Sequence, residues 1–522
     1  MEFEGGCTFV TPLKNGAQSS FRDNLLREQV VENTILVQKV LAESTVLVYF
    51  IHMKRKINKN LLIWKNSKDR KPLILRGARQ VGKTYTLQEF GETEFPCCHY
   101  VNFEKDEQVI ALFENDLSPA RIINELQFYL DTSIDTARDL IIFDEIQRCP
   151  RALTALKYFR EQMPEIALCS AGSLLGVTLA NDSFPVGKVT FLDLYPLSFD
   201  EFLEGIEKLR LAELLRTHIF QESLPQIAHD QLWDLWKNYL ITGGLPEAVN
   251  VYREHFKNQY EAILAVRHIH RDLLDTYMAD IAKHSGKTNA QHIERLWRDV
   301  PVQLARAQDG SASKFRFKDA VPGLRGYERL SSPLGWLENA RLVLRTSIVS
   351  RAETPLAGFA RDNRFKQYFF DVGLLATVTN IDPAIILKYD YGSYKGYIAE
   401  NFVAQELRAT GIRNLFCWEG RTSEIEFLLE TPSGIIPLEV KSGWITQSKS
   451  LNVFEKCYHP RQSVILSARN VKTQGARLYV PIYAASQLGL PFTHKSIVQS
   501  YPPLSANPSH ISCNRKYPCH IN

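Results

Sequence analysis

Residues 77 to 84 read GARQVGKT, a G-x-x-x-x-G-K-T run that follows the apolar stretch PLILR and precedes a helical stretch. Two glycines at this spacing let backbone N–H groups surround phosphates, and a lysine next to the second supplies a point charge. The roles follow from residue type: Gly77 and Gly82 shape the loop, Lys83 meets the β- and γ-phosphates, and Thr84 offers a hydroxyl to Mg²⁺. The helix that starts at Gly82 adds its positive N-terminal end. A second group of candidates is LIIFDEIQ, 140 to 147. Its four apolar residues make a buried strand, and its acidic pair lies at the C-terminal end, where open α/β sheets place ligands. Asp144 is expected to hold the Mg²⁺, and Glu145 to orient and deprotonate an attacking water, a role that hydrolysis of ATP requires. A third strand, IALCSAGS, ends in Ser173, which is either a γ-phosphate contact or a helix N-cap. Arg79, Arg148, Arg151 and Lys188 are candidate cations acting in trans on a neighbouring copy.

A different chemistry is suggested by EIEFLLETPSGIIPLEVKSG, 424 to 443. Two apolar strands fold about Pro432–Ser433, so residues whose numbers sum to 865 face one another. Glu426 then lies opposite Glu439, and Glu424 opposite Lys441, all on one face because strand side chains alternate. Like charges directly opposed destabilise a hairpin by up to ~1 kcal/mol. A divalent cation between Glu426 and Glu439 reverses that sign, and Lys441 is placed to stabilise charge on a phosphodiester. Glu400, in line with Val403 and Leu407 on a helix over 395–409, sits beside an apolar stripe and needs a partner, either a metal or Lys441. The bland alternative is a Glu424–Lys441 salt bridge on a solvated face.

The elements that must hold these residues fall into zones. Short apolar strands alternate with helical stretches from 72 to about 200, which predicts βαβ units and a parallel sheet. From about 206 to 350 the period is helical. SSPLGWLENARLVLRTSIVSR reads there as a helix running into a strand, a winged-helix-like arrangement. After about 376 the pattern is α+β. The basic run KRKINK, 54 to 59, reads as the solvated face of a first helix.

The chain has 522 residues and a formal net charge of +4, too small to announce nucleic-acid binding by itself. Its nine cysteines form no C-x-x-C pair, which argues against a zinc ribbon or disulfide framework and for a reducing cytosol. The apolar stretch 34 to 51 is interrupted by Lys39 and Glu43, so no membrane role is expected. Residues 1–52 read as an extension ahead of Met53, and 491–522, rich in Pro, Ser and Asn, as an unstructured tail.

Taken together, GARQVGKT, DEIQRCP, AGSLLG, SFPVGKVTFLDLYPLSFDEFL, YLITGGLPEAV, FDVGLL, GYIAENFVAQEL and EVKSG resemble a large family of prokaryotic AAA-type ATPases. Its members carry a C-terminal domain catalogued as of unknown function. The resemblance spans roughly residues 53 to 490. It implies an AAA-type core at 53–205, a helical and winged-helix-like region at 206–375, and at 376–490 an α+β domain similar to PD-(D/E)xK (restriction-endonuclease-like) nucleases. ATP and Mg²⁺ are the implied cofactors and DNA a candidate partner. Assembly into a homo-oligomer is a further expectation. Glu426 stands where the family usually shows aspartate. Two expectations therefore stand side by side: an ATPase controlling a Mg²⁺-dependent nuclease, and an ATP-driven switch whose nuclease-like domain only binds.

Overall fold

The computed structural model describes residues 53–173, 187–218, 220, 222–308, 314–389, 392 and 394–489. The expected extension at 1–52 and the tail at 491–522 lie outside the described residues. The chain divides into two compact units. One comprises Met1–Ala212, Ile241–Gly286 and Asn339–Leu342, and the other Glu213–Leu240, Lys287–Glu338 and Val343–Asn522.

The first unit is built on the strands Leu73–Arg76 (β1), Cys98–Asn102 (β2), Leu140–Asp144 (β3), Ala167–Gly172 (β4) and Thr190–Asp193 (β5). They hydrogen-bond in the order β2-β3-β4-β1-β5, and every pair is parallel. A parallel sheet needs both faces covered, which is why β3 and β4 are mostly apolar and are buried throughout. Edge-to-face contacts among Phe103, Phe113, Phe143 and Phe159 fill one side. Because β4 is threaded between β1 and β3, the C-terminal tips of these three strands lie together.

The second unit carries an eight-stranded mixed sheet. Its strands are Val343–Val349 (β6), Ala360–Phe369 (β7), Leu415–Glu419 (β8), Glu424–Thr431 (β9), Gly434–Val440 (β10), Ser463–Ser467 (β11), Lys472–Gln474 (β12) and Arg477–Pro481 (β13). The order is β12-β13-β11-β10-β9-β8-β6-β7. The helix Tyr394–Ala409 is buried along most of its length and contacts β7 and β10. Asn401 fixes it there by accepting from the Phe369 N–H (2.6 Å) and donating to the Phe369 carbonyl (3.0 Å).

The sequence reading ends a helical middle region at 375, and here the structure differs. The helix Tyr327–Asn339 does lead into β6, and β6 pairs antiparallel with β7. But β6 also pairs parallel with β8, so the hairpin continues the C-terminal sheet instead of standing as a separate wing. The residues between 206 and 375 themselves divide between the two units. Among the described residues, no helix is long and apolar enough to cross a membrane.

Candidate functional sites

In the first unit the loop after β1 has the backbone its glycines permit. Gly82 takes φ 90°, a left-handed conformation that glycine adopts freely, and the helix Lys83–Glu94 starts immediately after it. At Gly77 a Cβ would lie 2.4 Å from the Leu194 carbonyl oxygen, so no larger residue fits without moving backbone. Lys83 is buried and donates to the carbonyls of Gly77 (3.2 Å) and Ala78 (2.8 Å). Burial lowers its pKa to about 8 against the opposing pull of Glu145 and Asp144.

The tip of β3 meets this loop. Thr84 Oγ1 donates to Asp144 Oδ2 at 2.7 Å, and Tyr100 on β2 donates to the same oxygen at 2.7 Å. Asn102 in turn donates to the Tyr100 hydroxyl (2.9 Å). Glu145 follows in a left-handed conformation, φ 50°, and Gln147 hydrogen-bonds its carboxylate. Burial raises the Glu145 pKa, with Lys83 pulling the other way. Ser173 is buried one residue past Gly172, which is in register with Arg76 at the end of β1. Lys83, Thr84, Asp144, Glu145 and Ser173 therefore gather at adjoining strand tips. The Thr84 hydroxyl and the Asp144 carboxylate are hard oxygen donors of the kind that suits Mg²⁺.

The four candidate cations are differently placed. Arg148 pairs with Glu104 (3.4 Å) and Lys188 with Glu161 (3.0 Å), both at the surface. Arg151 donates to the carbonyls of Phe113 and Asn115. Arg79 alone belongs to the phosphate loop. Its Nη1 donates to both Asp280 oxygens (2.6 and 2.7 Å), and Tyr277 donates to its carbonyl (2.6 Å).

Arg55 supports the same loop, and sequence reasoning missed it. KRKINK was expected to face water, yet Arg55 is buried. Its Nη1 donates to the Val81 carbonyl (2.9 Å), its Nη2 to the Tyr195 carbonyl (2.6 Å), and its Nε to Glu201 (3.3 Å). The signal was present in SFDEF: Ser198 and Glu201 form a capping box at the start of the helix Phe199–Gly205, which leaves a buried carboxylate in need of a cation.

In the second unit, β9 and β10 pair in the predicted register, Leu438 opposite Phe427 and Gly434 opposite Thr431. The paired register ends at Leu438 and Phe427, and Glu426 and Glu439 are the next residues along the two strands. The Val440 N–H donates to Glu426 Oε2 (3.0 Å), and Lys441 Nζ lies 2.5 Å from Glu439 Oε1. Glu439 is buried and its Oε2 has no hydrogen-bond partner. Burial first, and then Glu439, push the Glu426 pKa well above the carboxylate range. Burial works against the Lys441 ammonium, but Glu439 outweighs it and its pKa rises.

Glu400 is buried, as its apolar neighbours suggested, but its partners are Lys366 (3.3 Å) and Tyr368 (2.9 Å), both on β7. Glu424 likewise pairs with Lys366 and not with Lys441. Lys366 was not anticipated, because its strand was assigned to another region. Among the described residues, no three His, Cys, Asp or Glu side chains are arranged as a ready metal cage. The buried, unpartnered Glu439 oxygen beside Glu426 is nonetheless an acceptor set that fits one hard divalent cation.

These features make the first unit a P-loop domain of the AAA type. Residues 69–203 match the family model described as an AAA domain. Residues 234–384 match a domain of unknown function (DUF8612), and residues 395–484 match another (DUF4143). No curated protein matches the chain. Among solved structures, a Walker-type ATPase of Pyrococcus abyssi is 15% identical, with 63% of this chain and 96% of that one covered and a TM-score of 0.40. The RuvB Holliday junction branch migration motor of Thermotoga maritima is 14% identical, covering 58% and 89% at 0.26. The Orc1 protein of Aeropyrum pernix, solved with DNA, is 14% identical, covering 62% and 90% at 0.25.

Proposed function

We propose that the first unit hydrolyses ATP with Mg²⁺ and that its nucleotide cycle controls a nuclease-like site in the second unit, acting on the phosphodiesters of DNA in the cytoplasm. The observation that carries the ATPase reading is the 2.7 Å bond from Thr84 to Asp144, which brings loop and strand tip to one point. Lys83 exchanges its two loop carbonyls for phosphate oxygens. Glu145, held by Gln147 and raised in pKa by burial, takes the proton of the attacking water. Arg79 acts within its own chain as a further cation toward the phosphates, steadied by Asp280. Bound Mg²⁺ supplies charge neutralisation at the phosphates. Lys83→Ala should abolish ATP binding, whereas Glu145→Gln should bind ATP and fail to turn it over. Unchanged turnover in Glu145→Gln refutes the assignment.

In the second unit, Glu426 and Glu439 are the residues that would hold a divalent cation, and Lys441 would face the developing phosphodiester charge. The metal would act as a Lewis acid there. A second reading, a switch that binds nucleic acid without cutting it, is favoured by one observation: two of the four clustered carboxylates are already taken by Lys366. Plasmid incubated with Mn²⁺ or Mg²⁺ discriminates them. Nicking lost in Glu439→Ala and Lys441→Ala supports the nuclease, and intact plasmid with every metal supports the switch.

A further inference from the structure

Four carboxylates, Glu400, Glu424, Glu426 and Glu439, gather around the β9–β10 hairpin, and two ammonium groups, Lys366 and Lys441, answer them. We propose that Lys366 is a built-in counter-ion standing where a second metal would otherwise sit, so that the site takes one divalent cation and not two. The inference rests on the reading of Glu426 and Glu439 as metal ligands and adds a stoichiometry to it.

The contacts divide the cluster in two. Lys366 pairs with both Glu400 and Glu424, and the Tyr368 hydroxyl gives Glu400 a further donor at 2.9 Å. Both carboxylates are thus answered from β7. Glu426 and Glu439 are not. Glu426 receives one backbone N–H, Glu439 receives Lys441 on one oxygen, and the other oxygen is buried without a partner. This division explains why the cluster is no three-carboxylate cage: the third and fourth members are turned to an ammonium.

The charges agree with the geometry. With all four carboxylates ionised, two are left in excess of the ammonium groups, and one divalent cation would restore neutrality. Two-metal sites hold their ions roughly 3.5–4 Å apart on shared carboxylates. A second ion here would need Glu400 or Glu424 and would meet the Lys366 ammonium, whose side chain is 5% exposed and paired with both. Burying a cation without partners is costly, so Lys366 stays with its two glutamates.

The test counts bound Mn²⁺, by calorimetry and by paramagnetic resonance, on the full chain free of nucleotide. The parent carries Asp144→Asn so that the first unit contributes no ion. One ion is expected in this parent and none when Glu439→Gln is added. Two are expected when Lys366→Gln is added, falling back to one in Lys366→Gln/Glu424→Gln. Lys366→Arg, which keeps the charge, should bind one. Two ions in the parent, or one in a folded Lys366→Gln, overturns the inference while leaving the metal reading intact. No ion in any variant removes the metal reading and the inference together. Should Lys366→Gln fail to fold, the counts in the parent and in Lys366→Arg decide: one in each supports the proposal, and two in either overturns it.

Discussion

Replacing Arg55 by methionine keeps an aliphatic stem in place of the side chain's inner part and removes its charge and all its donors. Three bonds are lost, to the Val81 carbonyl at 2.9 Å, the Tyr195 carbonyl at 2.6 Å and Glu201 at 3.3 Å. Each carbonyl left buried without its donor costs about 1–3 kcal/mol. Breaking a buried ion pair by removing one partner ordinarily costs about 3–5 kcal/mol. Glu201 loses less than that, because the Lys56 N–H (2.7 Å), the Ser198 N–H (2.8 Å) and the Ser198 hydroxyl (3.1 Å) stay on it. Summing two modest carbonyl penalties and a reduced ion-pair penalty gives a loss of about 3–5 kcal/mol. With a urea slope of roughly 1–3 kcal/mol per molar, the first unit should unfold ~2 M earlier. Hydrogen exchange of the peptide covering 77–94 across a urea series isolates that unit from the other. Because Val81 lies in the phosphate loop, ATP affinity should fall alongside. A stability within about 1 kcal/mol of the unaltered chain would refute the reasoning, since the donors of Arg55 would then contribute little.

Gly244→Ala should leave the first unit insoluble, because its Cβ would lie 2.1 Å from the Leu197 carbonyl oxygen and 2.7 Å from the Leu197 nitrogen, both backbone atoms; soluble yield and circular dichroism check it. Asp280→Ala frees Arg79, and ATP turnover should fall several-fold with folding intact, a result read from steady-state kinetics beside an unfolding curve. His270 is buried with Nε2 donating to the Thr242 carbonyl (3.1 Å), and burial lowers its pKa to about 3. The unfolded chain binds this proton near pH 6.5 and the folded chain does not, so stability is lost as pH falls below about 6.5. At pH 5 that loss is ~2 kcal/mol, and His270→Gln should abolish it in urea titrations at the two pH values.

Much of this architecture was legible in local pattern. GARQVGKT and LIIFD each carry their own context, strand then helix or strand then acid, and the structure joins them through Thr84 and Asp144. The hairpin register followed from the position of Pro432–Ser433, since period-two alternation leaves one pairing that buries Phe427 and Leu438. What stayed hidden depends on long-range partners. Lys366 stands in ARDNRFKQYF, where nothing local says that a lysine will be buried against glutamates 34 and 58 residues further on. Arg55 is hidden for the same reason, because its partner Glu201 lies 146 residues away. Charged residues read as solvated unless the other half of the pair is known.

The placement of β6 and β7 has a consequence for any attempt to work with the C-terminal part alone. A fragment spanning only 395–484 would begin after both strands and leave β8 with an unpaired flank of N–H and C=O groups. Such bare margins template aggregation. The same cut would strip Glu400 and Glu424 of their lysine. A piece that starts before Val343 keeps β8 paired with β6 and Lys366 beside its two glutamates, so the hairpin and the segment it shields must be expressed and replaced together.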